Sequence, residues 1–510
     1  MSLQLMSRTC TALLGCLLTV SATWAAAADS AATASFTPST ASIGSDLPDL
    51  GGPANAMISK ADEYDVGRMA MREMRDQNMI LEDAEATDYI QQLGMRLASQ
   101  AHDEGQNFTY SVLREPVINA FATFGGFICI NSGLILLTDN ESQLAAVMAH
   151  ETGHVVQRHI ARGYLAQSRM SLASTAALLA AILIGAASGA GGQAMEGAIA
   201  MSQAVALQQS INYTRSQEIE ADAVGIELLS GAGFDPNEMA AFFESMSRVE
   251  GLSMAGIPAL LVDHPVTSDR IAAARNRAAT FPQVKLLPES QSFAFFKERV
   301  RVLVTPPEVH LDQYYASLRD RRALTPAERY GEALVQMQHG NAASAVQTLR
   351  QLQSTYPQMT ILYAALGQAL AAAGQMDASL ALFERSVRLF PRNVPLTVRY
   401  SETLMQAGKP KQAHELLLDL FNNVDPSPAQ IRLTALAASA AGDPGDAYAY
   451  MAEYDLAGGQ LALANQQLEL ALAAPDLTSV QRARFRARLE EVRGWLREQQ
   501  QSRHGLQNGS

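Results

Sequence analysis

Glycines Gly340, Gly374, Gly408 and Gly442 recur at intervals of 34 residues, and Ala345, Ser379, Ala413 and Ala447 repeat five positions behind them. Pro357 and Pro391 keep the same period. That length suits one helix, a glycine turn and a second helix, a unit that cannot bury its apolar face alone. Stacked neighbours bury it, so residues 325–455 are expected to form four units of an α-solenoid. Tyr330, Ala364 and Val398 fall in register within them, and Leu334, Gln368 and Glu402 do so less well. A shorter pair around Gly459 and a charged helix over 479–501 cap the stack, and residues 502–510 are expected to fray. Such a superhelix offers a concave face to a peptide or protein; its other use is as a rigid spacer or dimer platform. His339 and His414 lack metal spacing and read as solvated.

The chemistry lies upstream. His150-Glu151-Thr152-Gly153-His154 is an HExxH motif inside an apolar, helix-patterned run from Leu144 to Ile160. Two histidines four apart project from one helix face, which suits imidazole nitrogens reaching one tetrahedral Zn²⁺ at ~2.0–2.1 Å. Glu151 then stands beside the open position, where a carboxylate takes a proton from metal-bound water and returns it to the leaving amine. Thr138-Asp139-Asn140-Glu141 has the form of a capping box, followed by Leu144, Val147, Met148, Glu151 and Val155 at helical spacing. Residues 124–133 are glycine-bounded and rich in β-formers. They read as a strand entering the helix through a short second strand or turn, with an edge that an extended substrate could join.

A third protein ligand is needed. A metzincin would place glycine and histidine where this chain has Gln157 and Ile160. His159, nine residues past His150, falls on the opposite side of a continuous helix at ~100° per residue and reads as structural. Glu218 is the better candidate, in Ser216-Gln217-Glu218-Ile219-Glu220-Ala221-Asp222. Asp222, one turn on, is placed to hold a ligating imidazole by its other nitrogen. The bland reading of Glu218 is a solvated helix face. Two histidines and a glutamate with an open fourth place make a catalytic pattern, since structural zinc sites are closed and rich in cysteine. His264, just before Pro265, reads as a loop histidine that orders a turn. Arg270 is the candidate for stabilising the oxyanion, with a structural ion pair as the other reading.

Asn119-Ala120-Phe121-Ala122, Gly125-Gly126, the HExxH motif with Arg158-His159, and Glu218 to Asp222 occur together between Asn119 and Arg277. This stretch resembles the gluzincin zinc metalloproteases that include HtpX, mitochondrial Oma-type and prenyl-CAAX endopeptidases. The 34-residue period downstream is that of tetratricopeptide repeats. With that half included, the chain resembles periplasmic members acting in quality control and assembly of outer-membrane β-barrel proteins. The resemblance implies one Zn²⁺ per chain held by His150, His154 and Glu218, with Glu151 as general base. It also implies a switch in which His264 takes the fourth zinc position, a reading that stands beside the turn-ordering one. Implied too are chaperone-like activity, unfolded or stalled outer-membrane proteins as substrates, and the β-barrel assembly machinery as a partner of the repeats.

The chain opens with Arg8, an apolar stretch from Thr11 to Val20 and Ala26-Ala27-Ala28 before Asp29, so residues 1–28 read as a signal peptide and the destination as the periplasm. Leu13-Leu14-Gly15-Cys16 looks like a lipoprotein box, but the apolar stretch continues past Cys16. Cys10 and Cys16 leave with the signal, so Cys129 has no intramolecular partner and reads as a small apolar strand residue. Residues 29–61 read as a flexible arm. A net charge of −13 argues against nucleic acid and for little attraction to an anionic membrane.

Segment 171–191 is apolar enough to raise a membrane span, yet one crossing would separate His154 from Glu218. It is expected to be an apolar helical hairpin that covers the cleft or touches the membrane peripherally. The expected chain is mainly α: a metalloprotease domain of helices with a small sheet over 62–290, a linker over 291–324, and repeats over 325–501. Three function classes follow: an active zinc endopeptidase whose repeats recruit substrate, a chaperone or adaptor with a latent site, and an integral-membrane peptidase. Intact ligands and Glu151 favour the first over the second; the signal peptide and single hairpin favour it over the third.

Overall fold

The computed structural model describes residues 58–508 except 102, 104, 166–214, 253–259, 262–263 and 282–289. The expected signal peptide, nearly all of the expected arm and the apolar segment 171–191 lie outside the described residues.

Helix α1 (Lys60–Asp76) begins at a capping box, the Ser59 hydroxyl accepting the Asp62 N–H while the Asp62 carboxylate accepts the Ser59 N–H. Its buried Val66, Ala70, Met71 and Met74 follow helical spacing. Helix α2 (Ala84–Ala98) is capped by Asp83, which accepts the Ala86 N–H. Three strands follow: β1 (Thr109–Leu113), β2 (Ala120–Thr123) and β3 (Phe127–Asn131). Their order is β1-β3-β2, with β1 parallel and β2 antiparallel to β3. Within the stretch 124–133 read as a strand, β3 is therefore central and paired on both sides, which corrects the expectation of an exposed edge there. Two other segments take its edges: residues 109–113 in parallel and residues 120–123 in antiparallel register. The outer edge of β1 is itself covered. The Gln91 side-chain amide donates to the Phe108 carbonyl and accepts the Tyr110 N–H, and Leu81 N–H donates to the Val112 carbonyl.

A short helix, α3 (Ser132–Leu137), stands where a second strand or turn was expected. The catalytic-motif helix α4 (Glu141–Val156) starts at Asn140, whose side chain accepts the Gln143 N–H at 2.8 Å. Gln143 accepts the Asp139 N–H in return at 2.9 Å, whereas the Thr138 hydroxyl donates to the Ile135 carbonyl at the end of α3. Helices α5 (His159–Leu165), α6 (Arg215–Gly231), α7 (Glu238–Leu252) and α8 (Ser268–Ala278) complete the site-bearing half among the described residues. Helices α4 and α6 approach closely at two glycines. A Cβ on Gly153 would lie 2.8 Å from the Ala221 carbonyl oxygen, and one on Gly225 would lie 3.0 Å from the His150 nitrogen.

The stretch expected to be a linker contains two helices, α9 (Gln291–Val304) and α10 (Leu311–Arg321). Helix α9 belongs to both halves: Phe296 stacks on Tyr89 of α2 at 4.2 Å, and Phe295 meets Tyr330 at 5.5 Å. The repeats are the pairs α11 (Pro326–Gln338) and α12 (Ala342–Thr355), α13 (Thr360–Ala372) and α14 (Met376–Leu389), α15 (Val394–Gln406) and α16 (Pro410–Phe421), and α17 (Pro428–Ala441) and α18 (Pro444–Ala457). Gly340, Gly374, Gly408 and Gly442 turn each pair at φ of 77°, 75°, 70° and 83°, the left-handed region that favours glycine. Ala345, Ser379 and Ala413 are fully buried at the helix contacts, which explains the small residue at that position of the period. Helices α19 (Leu461–Ala473) and α20 (Ser479–Asn508) close the stack, α20 continuing through most of the stretch expected to fray.

Charge joins the repeats to the site-bearing half. Arg299 of α9 and Arg399 of α15 both reach Asp83 and Glu85 at the start of α2, and all but Arg399 are buried. A cavity of about 860 Å³ lies between the two halves, lined on one side by Met95, Phe108 and Tyr110 and on the other by Arg399, Leu433 and Leu436. Among the described residues no helix is long and apolar enough to cross a membrane.

Candidate metal centre

Helix α4 is buried on every side from Gln143 to Val155, so it runs through the core rather than along the surface. His150 and His154 are four residues apart on it and their Nε2 atoms converge to 3.0 Å. Glu218, in the first turn of α6, approaches both: its Oε2 is 3.5 Å from His150 Nε2 and its Oε1 is 3.5 Å from His154 Nε2. His264 joins the group, with Nδ1 at 3.0 Å from Glu218 Oε1 and 3.4 Å from His150 Nε2. One donor atom from each of these four buried residues lies within 4.8 Å of every other. Ligands on a tetrahedral zinc at ~2.0–2.1 Å stand ~3.3 Å apart. The donor set, two imidazoles and a carboxylate with a third imidazole alongside, therefore fits one such ion in both chemistry and spacing.

The second layer is also carboxylate-rich. His150 Nδ1 lies 2.8 Å from Asp222 Oδ1, one helical turn beyond Glu218. Arg270 grips Asp222 through two nitrogens at 2.8 Å each, comes within 2.8 Å of Glu218 Oε2, donates to the Pro265 carbonyl and covers the Phe243 ring. Glu151, fully buried, accepts the Ala122 N–H of strand β2 at 3.0 Å through Oε2. Its Oε1 is 3.7 Å from His264 Nε2 and makes no hydrogen bond among the described residues.

Burial and charge push these groups in different directions. Desolvation raises the Glu151 carboxyl, only partly offset by His264 and His150, so proton uptake there is favoured relative to a surface glutamate. Burial disfavours charge on His150, but Asp222 and Glu218 outweigh it and push the imidazole up to about 10. Burial lowers His154, with His150 adding to the effect. Burial opposes ionisation of Glu218, yet His264 and His150 hold it well below the usual carboxylate range.

One expectation from a continuous helix fails. Helix α4 ends at Val156, and Arg158 takes a left-handed conformation at φ 51°. A non-glycine residue held there costs on the order of 1 kcal/mol. Arg158 offsets it through buried bonds to Glu63 Oε1 and the Ile58 carbonyl. The corner carries His159 back toward the site, where it is buried with Nδ1 at 2.9 Å from His154 Nδ1. Its Nε2 is 3.0 Å from Glu220, which also meets Arg162. The sequence reading takes His159 as structural on the far helix face and gives Glu220 no role, because no glycine or asparagine marks the corner; the Glu220 carboxylate two residues after Glu218 is the available signal. Cys129 is buried in β3 beside Met71, and burial pushes its thiol up to about 12. His414 is buried on α16, where a solvated histidine was expected.

Residues 84–278 match the family described as Peptidase family M48, and residues 370–437 match a tetratricopeptide repeat. The chain is 32% identical over 463 residues to the beta-barrel assembly-enhancing protease of Escherichia coli (strain K12), a match covering 89% of this chain and 93% of that protein. It is 37% identical over 317 residues to a putative beta-barrel assembly-enhancing protease of Vibrio cholerae, covering 61% of this chain and 64% of that one. The Yersinia pestis protein of the same name is 34% identical over 321 residues, covering 62% and 60%.

Proposed function

Since the chain belongs to peptidase family M48, among the beta-barrel assembly-enhancing proteases with tetratricopeptide repeats, and is thus a metallopeptidase, we propose that it is a periplasmic zinc endopeptidase acting in quality control and assembly of outer-membrane β-barrel proteins. The observation that carries the reading is the convergence of His150, His154 and Glu218 beside the buried Glu151. Zinc bound there would polarise a scissile carbonyl and lower the pKa of a coordinated water toward ~7. Glu151 is the general base and later the acid, held in line by the Ala122 N–H. Strand β2, which carries that N–H, is the sheet edge beside α4 and the place where an extended substrate would align.

Asp222 fixes the ring of His150, and Arg270 serves as the anchor of Asp222 and Glu218: its bonds run to carboxylates and to Pro265, which favours that role over oxyanion stabilisation. The repeats recruit unfolded or stalled outer-membrane proteins, or the assembly machinery that handles them. The cavity shared by the two halves gives such a chain a place to enter, and exposed Met95 and Leu436 on its walls suit apolar segments. Chaperone-like activity accompanies proteolysis in this reading. A second reading, an adaptor with a latent site, draws on His264, whose Nδ1 stands where a fourth ligand would. The test is Glu151→Gln with zinc quantification. Metal retained and cleavage of an unfolded outer-membrane protein abolished supports the protease; cleavage that persists in the variant would falsify it.

A further inference from the structure

We propose that His159 and Glu220 are positioning residues that set the tautomer of His154 and aim its Nε2 lone pair at the metal. The inference rests on the metal-centre reading above. His154 Nε2 faces His150 and Glu218, so as a ligand its ring must carry its proton on Nδ1. That Nδ1 lies 2.9 Å from His159 Nδ1, and only one proton fits between two ring nitrogens. His159 Nδ1 is therefore the acceptor, and its own proton sits on Nε2. From there it donates to Glu220 Oε2 at 3.0 Å, an oxygen that also accepts from Arg162 Nη1 at 3.0 Å. Every bond in the chain points one way and ends on a carboxylate.

The other ligand histidine reaches the same end by a shorter route, with His150 Nδ1 directly against Asp222, itself held by Arg270. The two imidazoles thus have similar surroundings: each outer nitrogen leads to an arginine-backed carboxylate, Asp222 standing 2.8 Å from His150 Nδ1 and Glu220 reached from His154 through one further imidazole. The corner at Arg158 makes the longer arm geometrically available. Groups that hold the outer nitrogen of a metal-binding histidine typically change metal affinity by about 10- to 100-fold.

Zinc affinity of the full chain, measured by competition with a chromophoric chelator, is the test, together with the visible spectrum of the Co²⁺ form. The wild type binds one zinc, and His154→Ala abolishes tight binding. His159→Ala lowers affinity by about 10- to 100-fold and alters the Co²⁺ bands. His159→Gln, whose side-chain carbonyl can accept the same proton, regains most of the loss. Glu220→Ala loses less and adds nothing in the His159→Ala background. Wild-type affinity in His159→Ala, equal losses for alanine and glutamine, or additive losses for His159 and Glu220 each overturn the proposal while leaving the metal centre intact. A wild type that binds no zinc removes the metal centre itself, and the proposal with it. Thermal unfolding of the metal-free variants identifies any that do not fold; Glu220, half-buried, then carries the test through Glu220→Ala against Glu220→Gln, the amide expected to retain more affinity.

Discussion

Gly153→Ala probes whether the spacing of α4 and α6 sets the donor geometry. Gly153 precedes His154, and α6 crosses it at Ala221, between Glu218 and Asp222. The added Cβ would stand 2.8 Å from the Ala221 carbonyl oxygen and 3.2 Å from its Cα, both backbone atoms that no rotamer change can move. A relaxed carbon–oxygen contact is ~3.3 Å, so the helices must part by about 0.5 Å. Alanine gains about 1 kcal/mol over glycine as a helix former, while forcing a methyl into a filled contact costs about 1–3 kcal/mol. The metal-free protein should therefore lose between about 0 and 2 kcal/mol of stability. Metal binding should suffer more, because the two donor distances that span the helices are already 3.5 Å and a site tolerates only about 0.2 Å in its bond lengths. We expect a loss of at least about tenfold in zinc affinity, or about 1.4 kcal/mol, read by chelator competition, with unfolding followed with and without metal. Gly163→Ala, on α5 with open space around the new methyl, is the control and should leave affinity unchanged. Wild-type zinc affinity in Gly153→Ala, together with a higher unfolding temperature, would refute the reasoning.

Arg399→Ala leaves Asp83 and Glu85 facing Arg299 alone at the seam between the halves. Breaking such a buried cluster costs about 3–5 kcal/mol; urea unfolding should show an earlier transition, and an unmoved midpoint would discount the cluster. Removing the exposed Arg215–Asp269 pair by Arg215→Ala should leave the same curve in place. Burial raises the Asp88 carboxyl from 3.8 to about 6. The folded state thus keeps a proton that the unfolded chain releases earlier, so this contribution is present below about pH 4 and is lost as pH rises through about 6. Asp88→Asn should raise the unfolding temperature near neutral pH and change it little near pH 4; equal gains at both would remove the assignment. His264→Ala should raise basal peptide cleavage with zinc retained, whereas unchanged cleavage and zinc affinity would remove the switch.

Local pattern made much of the site legible. The HExxH spacing placed two imidazoles on one helix face, and the carboxylates at Glu218 and Asp222 stand one turn apart on α6, where both meet His150. The 34-residue period placed the glycine turns and the small buried residues of the repeats. Other features have no local mark. Residues 120–123 are too short and too rich in alanine to read as a strand, yet they form the edge that touches Glu151. Residues 291–324 read as a linker because they do not keep the 34-residue period, although Phe296 packs on Tyr89 of the site-bearing half, Phe295 on Tyr330 of the repeats, and Arg299 bonds to both Asp83 and Tyr330.

By itself the chain of letters determined the helix that carries His150 and His154, where the repeats turn and which side chains share a face. Each of these depends on spacing within a few residues, where helical geometry is the same in any protein. Only tertiary structure decided which strand is central, how close α4 and α6 approach, and that His159 swings back to His154. Those outcomes depend on contacts between segments far apart in sequence. The turn at Arg158 is unfavourable alone and persists because Glu63 and Ile58, nearly a hundred residues earlier, hold its guanidinium.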